Sequence, residues 1–408
     1  MTSRERVAAA LNFQKPDRVP IDLGGMRASG IAAPAYEKLK NRIGIDSPTT
    51  ILDSMQVLAM VEPEVMDHFH IDVVSLDVSL GTWPLAQASK GVQKQLFSGT
   101  KVYFPPGTNI TEDGEGHWLL CDRAGDPYAR MPRGGCYFDF MRPTMGGEID
   151  PGKFEPPNTV SDEELEALQT LGKYLYENTD KALLGWGASI SLVGLSALFS
   201  ANITQGSLDA WLAMLMTEKE TAHEMMGRYV DATIECLELY KQAVGDYCTV
   251  WGVASDDAGT QRSELLSPGL FSEMIKPHYK RLCEWVHTNT KWKTFLHSCG
   301  CIHDYVEHWI EAGIDVLNPV QISAAKMEPQ RLMDDFGGRI VFWGGGCDTQ
   351  NVLPLATPAQ VREHVRENIS IFNAKGGYVF TQVHNIQPNV PPENVEAMLE
   401  AAYEFGTC

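Results

Sequence analysis

Basic residues are scarce in this sequence: 33 Lys and Arg stand against 53 Asp and Glu, a formal net charge of -20 across 408 residues. Nucleic acids and anionic membrane surfaces both recruit Lys and Arg to neutralise phosphate, so neither is an expected partner. Long apolar runs are missing too, and no stretch reaches the length needed to span a bilayer. Residues 1–18 lack a basic region followed by an apolar core and a small-residue cleavage site, so the cytoplasm is the expected compartment. The nine cysteines are odd in number and scattered, which fits free thiols or metal ligands better than a disulfide framework. Nucleotide loops fail as well. Gly344-Gly345-Gly346 is not followed by Lys-Ser or Lys-Thr and lacks the G-x-G-x-x-G spacing, and no G-x-S-x-G elbow occurs.

What is present is an alternation of short apolar runs with helical periodicity. Runs read as strands fall at residues 18–25, 71–77, 181–188, 247–254, 292–301, 314–320, 339–346 and 377–383, and amphipathic stretches separate most of them. Strands this apolar must be buried on both faces, which implies a parallel sheet, and eight of them point to an α/β (β/α)8 TIM barrel. Between the second and third runs the texture changes to W-P, P-P-G, E-D-G-E-G and R-G-G clusters, the mark of short antiparallel hairpins. The expected organisation is therefore N-terminal helices and two barrel strands over 1–77, a β-rich insertion over 78–157, and the rest of the barrel over 158–408. The insertion either covers the mouth of the barrel or is an inert surface excursion.

The chemistry centres on W-K-T-F-L-H-S-C-G-C, residues 292–301. On a strand, residues two apart share a face, so His297 and Cys299 form a two-ligand site, and an imidazole with a thiolate suits zinc. In a TIM barrel all strand C-termini meet at one mouth. That places Arg27, Asp77, Asp256, Asp257, Asn318, Gln321, Cys347, His384 and Asn385 near the pair. A catalytic zinc takes three protein ligands, and Cys347 and His384 compete for the third place. Asp256 and Asp257 face opposite ways on extended backbone, so only one can point inward as a general acid or base. Arg27 is a candidate clamp for a carboxylate or phosphate, and Asn318, Gln321 and Asn385 are candidate cofactor contacts. Trp83, Trp118, Trp186, Trp251 and Trp343 are candidates for an aromatic pocket, weighed against simple core packing.

Several segments together resemble the uroporphyrinogen decarboxylase superfamily, in particular its corrinoid-linked methyltransferase branch. They are Arg4-Glu5-Arg6-Val7 with Pro16-Asp17-Arg18-Val19-Pro20, Asp256-Asp257-Ala258-Gly259-Thr260-Gln261, His297-Ser298-Cys299-Gly300, Phe342-Trp343-Gly344-Gly345-Gly346-Cys347-Asp348-Thr349-Gln350, and Val383-His384-Asn385-Ile386-Gln387 with Pro391-Pro392-Glu393-Asn394-Val395. The resemblance implies a TIM barrel and two chemistries. In the decarboxylases, arginines hold substrate propionates and an Asp sits over the tetrapyrrole. Asp77 matches that Asp and His384 a late histidine, but the arginines reduce to Arg27. In the methyltransferases an H-x-C motif and a later cysteine bind zinc; His297 and Cys299 match, while His384 stands where the cysteine would be. The implied activity moves a methyl group between a corrinoid (cobalamin) protein and a methoxylated compound, as in an O-demethylase, a thiol or tetrahydrofolate. Zn2+ is the implied cofactor, the corrinoid comes with a partner protein, and a second copy of the chain is a further expected partner. The alternatives are decarboxylation of a polycarboxylate and a non-catalytic barrel subunit.

Overall fold

The computed structural model describes residues 1–77, 91–141, 149–193 and 208–407. The chain opens with the helix Ser3–Leu11, started by a capping box in which Thr2 accepts from the Glu5 N–H and the Glu5 carboxylate accepts in return from the Thr2 N–H. Strands β1 (Thr49–Asp53) and β2 (Leu58–Ala59) form an antiparallel pair unforeseen in the sequence, and β3 (Val73–Asp77) begins the barrel sheet. Six short strands follow: β4 (Val92–Gln95), β5 (Lys101–Phe104), β6 (Asn109–Glu112), β7 (Trp118–Cys121), β8 (Pro127–Met131) and β9 (Asp139–Phe140). β4 and β5 join β1 and β2 in one sheet, while β6–β9 make a second, antiparallel sheet.

The barrel continues with β10 (Ala182–Ile190), β11 (Cys248–Ser255), β12 (Lys293–His297), β13 (Val316–Asn318), β14 (Val341–Trp343) and β15 (Tyr378–Val379). With β3 they form a seven-stranded parallel sheet in the order β15-β14-β13-β12-β11-β10-β3. The first expected strand, residues 18–25, contributes bridging residues instead of a regular strand. Pro20 has no N–H to give a ladder. Even so, this segment closes the ring: the Phe380 N–H donates to the Pro20 carbonyl and the Asp22 N–H to the Phe380 carbonyl, while the Asp72 N–H donates to the Ile21 carbonyl. The result is a (β/α)8 barrel.

Helices Asp162–Asn178, Lys219–Val244, Lys276–Asn289, His303–Ala312, Pro329–Phe336, Pro358–Phe372 and Pro392–Gly406 surround the sheet. Among the described residues no helix is long and apolar enough to cross a membrane. Two apolar cores result from the alternation of side chains along each strand. One lies between strands and helices. The other fills the barrel itself with Val73, Leu184, Val250, Phe295, Val316, Val341, Trp343 and Val379, and Val7, Ala10 and Leu11 of the first helix pack into it.

Two glycines show how tightly β10 and β11 are matched. In register, Gly185 pairs with Trp251 and Trp186 with Gly252. A Cβ on Gly185 would lie 2.1 Å from the Trp251 ring, and one on Gly252 1.9 Å from the Trp186 ring. Each tryptophan therefore lies flat across the opposite glycine, Trp251 outward and Trp186 into the barrel.

The closure is held by one buried carboxylate. Asp72, with no exposed surface, accepts from Arg6 Nη1 at 2.7 Å, Arg18 Nη1 at 2.7 Å, Arg18 Nη2 at 2.9 Å and the Ile21 N–H at 2.8 Å. Asp72→Ala strips the Arg18 guanidinium of its carboxylate and leaves Arg6 with Asp17 alone, and we expect it to cost about 3–5 kcal/mol of stability in urea denaturation. A loss under about 1 kcal/mol, the size of a surface ion pair, would show that the network does not hold the barrel shut.

Candidate active site

The strand ends surround a cavity of about 900 Å³ at the C-terminal mouth. His297, the last residue of β12, lies at its floor and is 6% exposed. Cys299 lies two residues beyond, in the loop and not on the strand, yet its Sγ is 3.5 Å from His297 Nε2. The Cys299 N–H donates to Asp257 Oδ1 at 2.9 Å, and the Gly300 N–H donates to Gln321 Oε1 at 2.8 Å, so two side chains fix that loop. His384 reaches the same point from the loop after β15, in the left-handed region at φ 62. The ligand atoms of His297, Cys299 and His384 all lie within 4.8 Å of one another, the one such group among the described residues.

Hydrogen bonds decide which ring nitrogens face the centre. Asn318 Nδ2 donates to the Trp343 carbonyl at 2.9 Å, which turns its Oδ1 toward His297 Nδ1 at 2.7 Å. His297 therefore carries its proton on Nδ1 and leaves Nε2 as a lone-pair donor. A parallel arrangement holds His384. Asn385 Nδ2 donates to Gln56, and Asn385 Oδ1 accepts from Gln387 Nε2 at 2.7 Å and from His384 Nδ1 at 2.9 Å. Burial, and after it the nearby His297 ring, lower the His384 pKa and favour the neutral, ligating form. Burial, with the Asp257 carboxylate second, holds the Cys299 thiol well above the ordinary thiol range. A tetrahedral zinc with ordinary bond lengths sets its sulfur and nitrogen ligands about 3.5 Å apart, so the donor set and the 3.5 Å between Cys299 Sγ and His297 Nε2 fit that ion.

The other expected residues divide. Asp257, Asp77, Arg27, His384 and Asn385 line the cavity. Asp256 does not: it is fully buried and accepts from the Leu192 and Val193 N–H groups and from Tyr279 Oη at 2.7 Å, which makes it a clamp on the loop after β10. Cys347 is outside the ligand group, fully buried in the core between strands and helices. Asn318 and Gln321 work from behind the cavity, as braces on His297 and on the Gly300 loop. Arg27 is held by Asp53 at 2.6 Å, with Asp77 also acting on it. Of the tryptophans, Trp186 lines the cavity, Trp118, Trp251 and Trp343 are core, and Trp83 lies outside the described residues.

Missed from the sequence were Asp53, Gln56 and Gln387. The first two belong to the unforeseen β1–β2 pair, and T-T-I-L-D at residues 49–53 was the available signal. Tyr137, Phe138, Asp139 and Phe140 also line the cavity, fixed by a bond from the Phe138 N–H to the Met55 carbonyl at 2.7 Å. The hairpin segment thus walls the mouth.

The family model for uroporphyrinogen decarboxylase (URO-D) matches residues 145–405. The chain belongs to the uroporphyrinogen decarboxylase family. Curated relatives include uroporphyrinogen decarboxylases of Legionella pneumophila (strain Corby), 24% identical over 48% of this chain and 51% of theirs, and of Schizosaccharomyces pombe, 25% identical over 46% and 53%. The chain spans about half the length of these relatives. Over its whole length its fold is similar to that of a methyltransferase from Methanosarcina mazei, with a TM-score of 0.58, 15% identity and 99% of each chain covered.

Two outcomes follow from the hydrogen bonding. Asn318→Ala removes the acceptor that orients His297, and we expect zinc affinity in a competitive chelator titration to fall about 10–100-fold. An unchanged affinity would mean that the ring is oriented without it. Because the free thiol of Cys299 is protonated at neutral pH, metal uptake must expel that proton. Apparent affinity should rise with pH, by about tenfold per unit below the thiol pKa, and a pH-independent affinity would contradict thiolate ligation.

Proposed function

We propose that the protein is a zinc-dependent methyltransferase that works with a separate corrinoid protein on a small methylated substrate. The observation that carries this reading is the convergence of one thiol with the rings of His297 and His384, which line an open cavity. Such a set is soft, has three donors and leaves a fourth position facing the space where a substrate would lie. The whole-chain likeness to the methanosarcinal methyltransferase supports it.

Zinc bound there would supply Lewis-acid chemistry, lowering the pKa of a substrate thiol or polarising an ether oxygen. The chain's own residues do the rest. His297 and His384 donate neutral nitrogens whose direction is set by Asn318 and Asn385. Cys299 supplies the thiolate once its proton is lost. Asp257, bonded to the Cys299 N–H and 3.6 Å from His297 Nε2, keeps the two ligands in register. Asp77, Arg27 and the walls from Trp186 and the hairpin segment position the substrate.

The decarboxylase names of the curated relatives raise a second reading, removal of carboxylate from a polycarboxylate. Holding several substrate carboxylates requires several cationic groups. Among the described residues the cavity offers only Arg27, already bound to Asp53, so the lining weighs against this reading. A non-catalytic barrel would have no use for so specific an orientation of two imidazoles.

Metal analysis is the test. The purified protein should carry about one zinc per chain, lost in His297→Ala, Cys299→Ala and His384→Ala. The cobalt-substituted protein should show a thiolate-to-cobalt absorption band that Cys299→Ala abolishes. With a corrinoid protein and methylated donors, the cobalamin spectrum should change only when the metal is present. Full activity in metal-free protein would sink the proposal.

A further inference from the structure

One turn outside the barrel touches three separate parts of the site. Residues 54–57 join β1 to β2, with Val57 in the left-handed region at φ 52 and the Gln56 N–H donating to Asp53 Oδ1 at 2.7 Å. Asp53 also holds Arg27, through Oδ2 at 2.6 Å. The Met55 carbonyl accepts the Phe138 N–H at 2.7 Å, so the turn anchors the aromatic wall that Tyr137, Phe138 and Phe140 present to the cavity. Gln56 Oε1 accepts from Asn385 Nδ2, while Asn385 Oδ1 accepts from His384 Nδ1 at 2.9 Å. The carbonyl that holds the wall and the amide that reaches the ligand therefore belong to adjacent residues.

The amides between them have a sense of direction. Gln56, Asn385 and Gln387 each present an oxygen and an NH2 group, and a neutral imidazole can carry its proton on either nitrogen. The run of bonds from His384 to Gln56 can thus be satisfied in two senses, with every member turned over. A metal on Nε2 permits one of them: the proton stays on Nδ1, Asn385 must offer its oxygen there, and its NH2 group must meet the oxygen of Gln56. We propose that Gln56 is a positioning residue through which metal at His384 fixes the β1–β2 turn and, with it, the aromatic wall of the cavity. The inference rests on the proposed function and deepens it: loading the metal completes the substrate cavity as well as supplying its chemistry. In the metal-free chain the turn and wall open more readily. Coupling between two sites is reciprocal, so an ordered wall strengthens metal binding by the same factor.

Hydrogen–deuterium exchange of the whole chain, without Zn2+ and at saturating Zn2+, reads the coupling, because the Phe138 N–H is itself the bond to the turn. Exchange over residues 132–141 should slow by about fivefold or more with zinc, while the helix Asp162–Asn178, a reference for global stabilisation, changes by less than about twofold. Gln56→Met removes the accepting oxygen at a half-buried turn position, and should abolish the slowing and weaken Zn2+ about tenfold in a chelator titration. Gln56→Glu keeps an oxygen toward Asn385 and should retain most of both effects. The inference is overturned if zinc leaves the exchange of the wall unchanged, if Gln56→Met still shows the full slowing, or if Gln56→Glu behaves as Gln56→Met does. The thiolate-to-cobalt band of Cys299 separates this from the proposed function. A chain that shows the band but no slowing loses this inference alone. One that shows both yet leaves the cobalamin spectrum unchanged loses the methyltransfer reading alone, and one that binds no metal loses both.

Discussion

The fold depends on how the barrel is closed. Seven strands pair in parallel, but the eighth position is taken by an irregular segment containing Pro20, which cannot offer a full ladder of hydrogen bonds. The missing cohesion comes from Asp72, a fully buried carboxylate that collects two arginines and a backbone N–H across the seam. Removing one member of such a group leaves charge buried without compensation. Because Arg6 sits on the first helix, the same contact packs that helix against the barrel, where Val7, Ala10 and Leu11 join the interior. The mouth at the other end then has a fixed circumference.

That circumference is what allows His297 and His384 to meet. One ends the fifth stave and the other lies in the loop after the eighth, and each ring is turned by an asparagine whose own orientation is imposed by a further bond, to the Trp343 carbonyl in one case and to Gln56 in the other. Metal sites are oriented by such outer partners as much as by the ligands. Gln56 comes from the β1–β2 pair, and the walls from the hairpin segment, so the elements outside the barrel take part in the site and are more than decoration.

Much of this was legible beforehand. The parallel strands, the hairpin texture and the H-x-C pair all follow from local rules of alternation and turn chemistry. What was not legible was non-local. Asp256 and Asp257 look alike in sequence, and only the position of the loop at residues 191–193 makes the first a structural clamp and leaves the second in the cavity. Cys347 and His384 were equal rivals until the packing of the seventh and eighth staves buried one in the core and brought the other to His297. Arg27 read as a free clamp for an anion because Asp53 belongs to a strand pair whose short runs carry little periodic signal.

By itself, then, the sequence determined the barrel, the hairpin segment within it and two members of the three-residue His/Cys group, because each is encoded in the period of side chains along one element or in neighbours two residues apart. Only the tertiary structure decided which third side chain joins that group, the ring nitrogens that face its centre and the charge of the cavity. Those depend on side chains from separate elements meeting at one mouth, and such a meeting exists only after the ring has closed at Asp72.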